Sequence, residues 1–332
     1  VATHTGIGLP STAGNCATEY NGWFPNGLLK LASPRRKAKG PAAKLRAALK
    51  YGKMTREVIQ SQFRQVKRMS IRIGAVSYLN TKPLIYGLRE RLPGCELRLD
   101  LPSRLADQLA AGELDVALIP SVEYLRTPGL RVVSNACIAC HGPVRSVRLL
   151  LRKPAAEIRS LALDEGSRTS AVLAQVLLAR RFERRPTLQP LPMETALGSV
   201  EADALLVIGD RAMKLDGRHY VENWDLGQEW VRETGLPFVF AMWVAQAGPL
   251  PLELEDALQA SRDSGLAHCQ EIAANEAIRY GLTTDDCLNY FHKQLYFELG
   301  PNELQGLELF RQWADELNLL NHNCPHLSAE HS

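Results

Sequence analysis

The sequence predicts an α/β protein made of two doubly wound α/β lobes joined by two crossing strands, with helices at the C-terminal end. Three observations carry this expectation. From residue 71 onwards short β-rich runs alternate with helical patterns, which is the mark of a parallel sheet. The alternation recurs after residue 160, and two apolar runs, 145–152 and 238–245, stand where outgoing and returning crossings between two lobes would lie.

Residues 71–76 read as the first strand, followed by the loop Ser77-Tyr78-Leu79-Asn80 and a helix from Thr81, with Pro83 in the first turn, where a missing N–H costs nothing. Residues 96–101 form a second strand. Ser103 then caps a helix with Leu105, Ala106, Leu109 and Ala110 on one face, and 115–120 is a third strand. In the second repeat, 160–164 is a strand, 165–169 a polar turn, and 170–181 a helix offering Val172, Leu173, Val176 and Leu177 to a core. Asp203-Ala204-Leu205-Leu206-Val207-Ile208 echoes Asp115-Val116-Ala117-Leu118-Ile119, an aspartate introducing a buried strand in each case. Residues 252–320 read as largely helical, with breaks near Gly281 and Gly300-Pro301. The expected division is lobe 1 over 69–155 and 240–320, lobe 2 over 156–239, and a tail over 321–332.

Composition narrows the function classes. Of 332 residues, 45% are hydrophobic and 23% charged, which excludes a collagen-like, wholly disordered or disulfide-scaffold chain. The longest uncharged stretch, 235–252, contains Pro237, Gly248, Pro249 and Pro251, so it reads as a buried strand and turn rather than a membrane span. The net charge of +3 is unevenly spread: residues 1–68 hold 13 Lys/Arg against two acids, a charge of +11, leaving 26 against 34, or −8, in the remainder. Residues 1–68 lack sustained periodicity over most of their length and are expected to be a disordered basic extension. The change of composition at Met69, together with a first residue Val1, invites a start of translation at Met69. No nucleic-acid or membrane partner is expected, and the lack of an apolar secretory core points to the cytoplasm. Seven cysteines, an odd number, suit a reducing compartment. Cys137-Ile138-Ala139-Cys140-His141 matches a haem-attachment spacing, but both cysteines are expected to be small buried residues. The sequence His322-Asn323-Cys324-Pro325-His326 reads as a solvated tail, and no metal site is expected.

In open α/β sheets ligands lie beyond the carboxyl ends of the strands. This selects the loops at 77–80, 142–146, 165–170 and 209–210. They offer hydroxyls, an amide, helix N-terminal N–H groups and basic side chains, donors that suit an anionic, oxygen-rich small molecule.

These same loops carry a resemblance. Gly74-Ala75-Val76-Ser77-Tyr78-Leu79-Asn80-Thr81-Lys82-Pro83-Leu84, Gly142-Pro143-Val144-Arg145-Ser146-Val147, Ser167-Arg168-Thr169-Ser170, Ile208-Gly209-Asp210 and Leu236-Pro237-Phe238-Val239-Phe240-Ala241-Met242-Trp243 resemble the chorismate dehydratases of the futalosine route to menaquinone. The resemblance spans roughly residues 70–320. It implies the type II periplasmic-binding-protein-like fold and a hydro-lyase that converts chorismate to 3-[(1-carboxyvinyl)oxy]benzoate without metal or redox cofactor. It also implies that the substrate's own enolpyruvyl carboxylate is the base. On this reading Asn80 and Ser146 are catalytic: the Asn80 amide donates to a carboxylate or to the leaving hydroxyl, and Ser146 orients the enolpyruvyl carboxylate. Ser77, Tyr78, Arg145, Ser167, Thr169, Ser170 and Asp210 complete the expected substrate-binding set. Asp210 is suited to ordering a loop or accepting from the substrate hydroxyl, since it would repel a dianion, and Arg145 either adds a carboxylate contact or faces solvent. The residues alone leave other roles open: Asn80 as a helix cap, Ser146 as a strand-start hydroxyl bonded to backbone, and Ser170 as an N-cap. Two further readings share the fold, a non-catalytic solute-binding-like protein for an aromatic or carboxylate ligand and the sister 1,4-dihydroxy-6-naphthoate synthase.

Overall fold

The computed structural model describes residues 70–166 and 168–321. The basic extension, Met69, Ser167 and the tail from His322 lie outside the described residues.

The chain opens with β1 (Arg72–Val76), a 3-10 helix (Leu79–Ile85) and α1 (Leu88–Arg91), followed by β2 (Glu96–Asp100), α2 (Pro102–Ala110), β3 (Val116–Pro120), α3 (Ser121–Arg126) and β4 (Arg131–Cys140). The expected helix from Thr81 is thus a 3-10 segment with Pro83 inside it. Next come β5 (Val147–Leu151), β6 (Ser160–Asp164), α4 (Arg168–Phe182), β7 (Thr187–Leu191), β8 (Ala204–Ile208), α5 (Gly209–Met213), β9 (Glu222–Asp225) and α6 (Leu226–Thr234). The chain returns through β10 (Phe238–Ala245) and ends in α7 (Leu254–Ala267), α8 (Cys269–Tyr280), α9 (Thr284–Asn289), a π-helical turn (Tyr290–Gln294), β11 (Tyr296–Glu298) and α10 (Pro301–Glu316).

Two sheets result, six strands ordered β11-β4-β10-β3-β1-β2 and five ordered β7-β6-β8-β5-β9. In each, a parallel trio carries the expected β-α-β pattern: β1 lies between β2 and β3, and β6 between β7 and β8. The two echoing aspartates do the same work in both lobes. Asp115 accepts the Arg72 N–H at 2.8 Å and pairs with its guanidinium at 2.7 Å, while Asp203 accepts the N–H groups of Arg159 and Ser160 at 2.8 and 3.1 Å. Each carboxylate therefore ties the start of one strand to its neighbour.

The strand ladders correct the expected crossings and the boundary at 155. Residues 145–152 were expected to bridge the lobes as part of lobe 1, yet β5 lies inside the second sheet, antiparallel to β8 and β9. The returning run, β10, lies inside the first sheet between β3 and β4. The physical reason is burial: Leu149, Leu150 and Leu151 are fully buried, as are most residues of β10, and a bare connector offers an apolar strand no cover on both faces. The links themselves are short loops, 141–146 and 235–237. Four strands escaped the periodicity: β4, whose Cys- and Ala-rich sequence has no alternation, the edge strands β7 and β9, and the three-residue β11.

Core packing fastens the C-terminal helices across both lobes. Trp230 of α6, Phe238 of β10 and Phe310 of α10 meet edge to face, with centroids 5.0–6.0 Å apart, and Trp230 Nε1 donates to the Pro237 carbonyl at 3.1 Å. Gly306 lets α10 press directly on that same Pro237 carbonyl, and a Cβ there would overlap it. Gly306→Ala should therefore cost about 1–3 kcal/mol by overpacking. Urea denaturation checks this, with an unchanged midpoint counting against the close approach.

Candidate active site

Between the sheets lies a cavity that is partly open to solvent. Four parallel strands contribute residues at or just beyond their carboxyl ends: Val76 at the end of β1, Pro120 at the end of β3, Gly166 beyond β6, and Ile208 with Gly209 at β8. Apolar walls from Ile138, Val144, Val147 and Phe240 enclose polar groups from Tyr78, Asn80, Ser146, Arg168, Thr169 and Ser170. No Asp, Glu, His or Lys is among the described residues lining it.

Ser146 owes its position to the outgoing link. Arg145 has φ +62°, a left-handed conformation that costs a residue with a Cβ on the order of 1–2 kcal/mol. Asp225, the N-cap of α6, holds the loop in this shape. Its carboxylate accepts the N–H groups of Val144 at 2.9 Å, Arg145 at 2.6 Å and Gln228 at 3.1 Å. The Arg145 side chain turns away and pairs with Asp286 at 2.9 Å. Ser146 follows, 3% exposed, its carbonyl accepting from Gly209 N–H at 2.8 Å and its Oγ from the Tyr290 hydroxyl at 2.8 Å. Asn80 faces the same cavity from the start of the 3-10 helix, its Oδ1 accepting from Thr81 Oγ1 at 3.3 Å.

Tyr78 fills the gap between the loops. Its ring lies against Gly209, whose φ of +65° and whose bare Cα are both required: a Cβ there would sit 3.1 Å from three ring carbons. The Tyr78 hydroxyl is buried without a hydrogen-bond partner among the described residues, and burial pushes its phenol well above the ordinary range. Thr169, near the N-terminus of α4, accepts the N–H of Val122 at 3.2 Å, and Arg168 beside it reaches Asp107 at 2.8 Å and Glu123 at 3.5 Å. These contacts bind the second lobe to the first around the cavity.

Of the residues chosen from sequence, Tyr78, Asn80, Ser146, Thr169 and Ser170 converge on one space. Ser77, Arg145 and Asp210 are not among its lining residues. The backbone of Ser77 is tied to Asp100 and Tyr280, and Asp210 accepts the Leu79 N–H at 3.2 Å. Two residues were not chosen. Arg168 stands inside the quoted Ser167-Arg168-Thr169-Ser170 turn, so its signal was present. Tyr290 comes from a segment that reads only as helical, with no local mark of the site. Cys137 and Cys140 are fully buried, as expected, and burial drives the Cys140 thiol up to about 12. His141 meets Glu303 at 2.6 Å. Among the described residues no group of three or more His, Cys, Asp or Glu could hold a metal ion, and no helix is long and apolar enough to cross a membrane.

The chain is similar to several known proteins. A family described as menaquinone biosynthesis matches residues 71–316. The chorismate dehydratase of Thermus thermophilus is 31% identical over 264 residues, covering 72% of this chain and 93% of that one. The chorismate dehydratase of Campylobacter jejuni is 27% identical over 253 residues, covering 74% and 98%. Among solved structures, a protein of Archaeoglobus fulgidus superposes with a TM-score of 0.60 at 15% identity, covering 75% of this chain and 98% of that one. The alkanesulfonate-binding protein of Xanthomonas axonopodis pv. citri gives 0.52 at 12%, covering 76% and 94%. At such identities these last two speak for the fold alone, that of periplasmic binding proteins.

Burial lifts the carboxyls of Asp164 and Asp210, both just behind the cavity wall, to about 6. A carboxyl whose folded value exceeds its unfolded one takes up protons more readily when folded, so its contribution to stability is full below about pH 4 and is lost as pH rises through about 6. Asp210→Asn removes one such titration. Relative to the wild type it should be more stable at pH 7 than at pH 4, by on the order of 1–3 kcal/mol in urea denaturation. An equal difference at both pH values would show that Asp210 is not lifted.

Proposed function

The chain belongs to the menaquinone-biosynthesis family, and from that premise we propose that it is a chorismate dehydratase, eliminating water from chorismate in the interlobe cavity to give 3-[(1-carboxyvinyl)oxy]benzoate. The observation that carries this reading is the convergence of Asn80, Ser146 and the hydroxyl-bearing start of α4 on one largely apolar space that no Asp, Glu, His or Lys among the described residues lines.

The reaction is redox-neutral. Loss of the ring C3 proton leaves a carbanion conjugated through the ring alkene to the ring carboxylate, and departure of the C4 hydroxyl completes an aromatic ring. Aromatisation supplies the driving force, so the protein's task is to position a dianion and stabilise charge as it spreads. The N–H groups at the start of the 15-residue α4, with Thr169 and Ser170, suit the ring carboxylate, on which that charge grows. Ser146 donates to the enolpyruvyl carboxylate and turns it toward the C3 proton, and the Asn80 amide donates to the departing oxygen. A base carried by the substrate agrees with a lining that holds no Asp, Glu, His or Lys among the described residues. The location proposed is the cytoplasm, since the five described cysteines are all free thiols, which suits a reducing compartment.

Incubating the full chain with chorismate, without added metal or nucleotide, and following products by liquid chromatography and mass spectrometry tests the reading. A product lighter by one water with a benzoate-type spectrum is expected. Intact chorismate from folded protein would favour a solute-binding role or the sister synthase instead. Asn80→Ala and Ser146→Ala should each lower kcat by more than about tenfold, or ~1.4 kcal/mol of transition-state stabilisation, with folding intact. Wild-type rates in these variants would dismiss the two assignments.

A further inference from the structure

Tyr290 does not line the cavity, yet its hydroxyl touches the serine assigned to catalysis. It sits in the π-helical turn after α9, where the Leu295 N–H closes a wide turn on the Tyr290 carbonyl at 3.1 Å. Such turns interrupt helices at functional sites more often than elsewhere. The turn places both Tyr290 and Phe291 in the interior, each 1% exposed. The Tyr290 hydroxyl has one hydrogen bond of good geometry, 2.8 Å to Ser146 Oγ, and the Asn80 side chain lies near enough to favour the ionised phenol, against the larger, opposing effect of burial.

A serine hydroxyl has one proton and two acceptor lone pairs. The phenol is the stronger acid of the two and donates, so Ser146 accepts from behind and keeps its own proton for the cavity. Accepting that bond also polarises the serine O–H toward a stronger donor. The ring of Tyr290 is locked by burial, which fixes the direction from which the bond arrives.

We infer that Tyr290 is a positioning residue of the elimination: its buried hydroxyl fixes the rotamer of Ser146 beside Asn80, so that the serine proton is aimed at the substrate's enolpyruvyl carboxylate. This rests on the dehydratase reading and deepens it. Tyr290 touches no substrate and takes no proton; its effect passes wholly through Ser146.

That dependence gives the test. Tyr290→Phe keeps the ring and removes only the donor. In the full chain with chorismate, it should lower kcat about tenfold or more while KM stays within about threefold, because the contact matters to the orientation of the base rather than to uniform binding. Combined with Ser146→Ala it should cost less than about twofold further, since the group it positions is already gone. A purely structural tyrosine would lower the melting temperature and impose the same cost in both backgrounds. Should Tyr290→Phe fail to fold, site-specific 3-fluorotyrosine at 290, which strengthens the donor and keeps the hydroxyl, should change kcat with Ser146 present and not with Ser146→Ala. Wild-type turnover in the variants, or costs that add, would overturn the inference and leave the dehydratase reading standing. A wild-type chain inert toward chorismate would overturn both.

Discussion

The Asp225 carboxylate is the constraint on which the site depends. Three backbone N–H groups converge on it, two from the outgoing link and one from the first turn of α6. Without an acceptor there, Val144 and Arg145 would hold unpaired donors and Arg145 would have no reason to keep a left-handed backbone. With it, the chain turns sharply out of the first sheet, and the next residue, Ser146, emerges facing the cavity at the head of β5. Burial alone raises the Asp225 carboxyl above its ordinary value, and the three N–H groups oppose this by favouring the charged form. The aspartate thus serves at once as helix cap and as clamp on the link between lobes.

Around this point the protein separates two kinds of polar work. Carboxylates stay behind the wall: Asp164 receives Arg211 and the N–H groups of Gly166 and Ile208, Asp210 receives Leu79, and Asp286 receives Arg145. Each aligns a loop. The cavity itself is left with neutral donors, one guanidinium and a helix N-terminus. Such a lining binds anions without offering a competing base, which fits a reaction in which the substrate carries its own. The fold by itself does not decide between such a reaction and simple binding, since function lies in the site.

Much of this was legible in the sequence because it rested on local signals. The parallel strands announce themselves by β-rich runs between turn residues, and the paired Asp115 and Asp203 mark equivalent strand starts. Cleft loops follow from topology, since ligands gather at strand carboxyl ends, and five of the chosen side chains do meet there. What stayed hidden depends on distant partners. Whether Leu149 to Leu151 belong to a link or to a sheet is decided by β8 and β9, dozens of residues away. Strand β4 has no period because both its faces are covered near its end. Tyr290 meets Ser146 across 144 residues of sequence, through a turn whose register no propensity encodes.

The order of strands in the first sheet has a consequence for synthesis. Its central strand, β10, is also its latest long one, entering between β3 and β4 after the whole second lobe has been made. While residues 147–234 emerge, β3 and β4 each present an edge with no neighbour in the gap between them, the kind of edge that invites pairing with another chain. The second sheet suffers no such delay, because all five of its strands are contiguous in sequence, and domains generally fold as units as they leave the ribosome. The first lobe thus waits, half-paired, for Phe238–Ala245 to fill the gap between β3 and β4, and β11 then covers the far edge of β4.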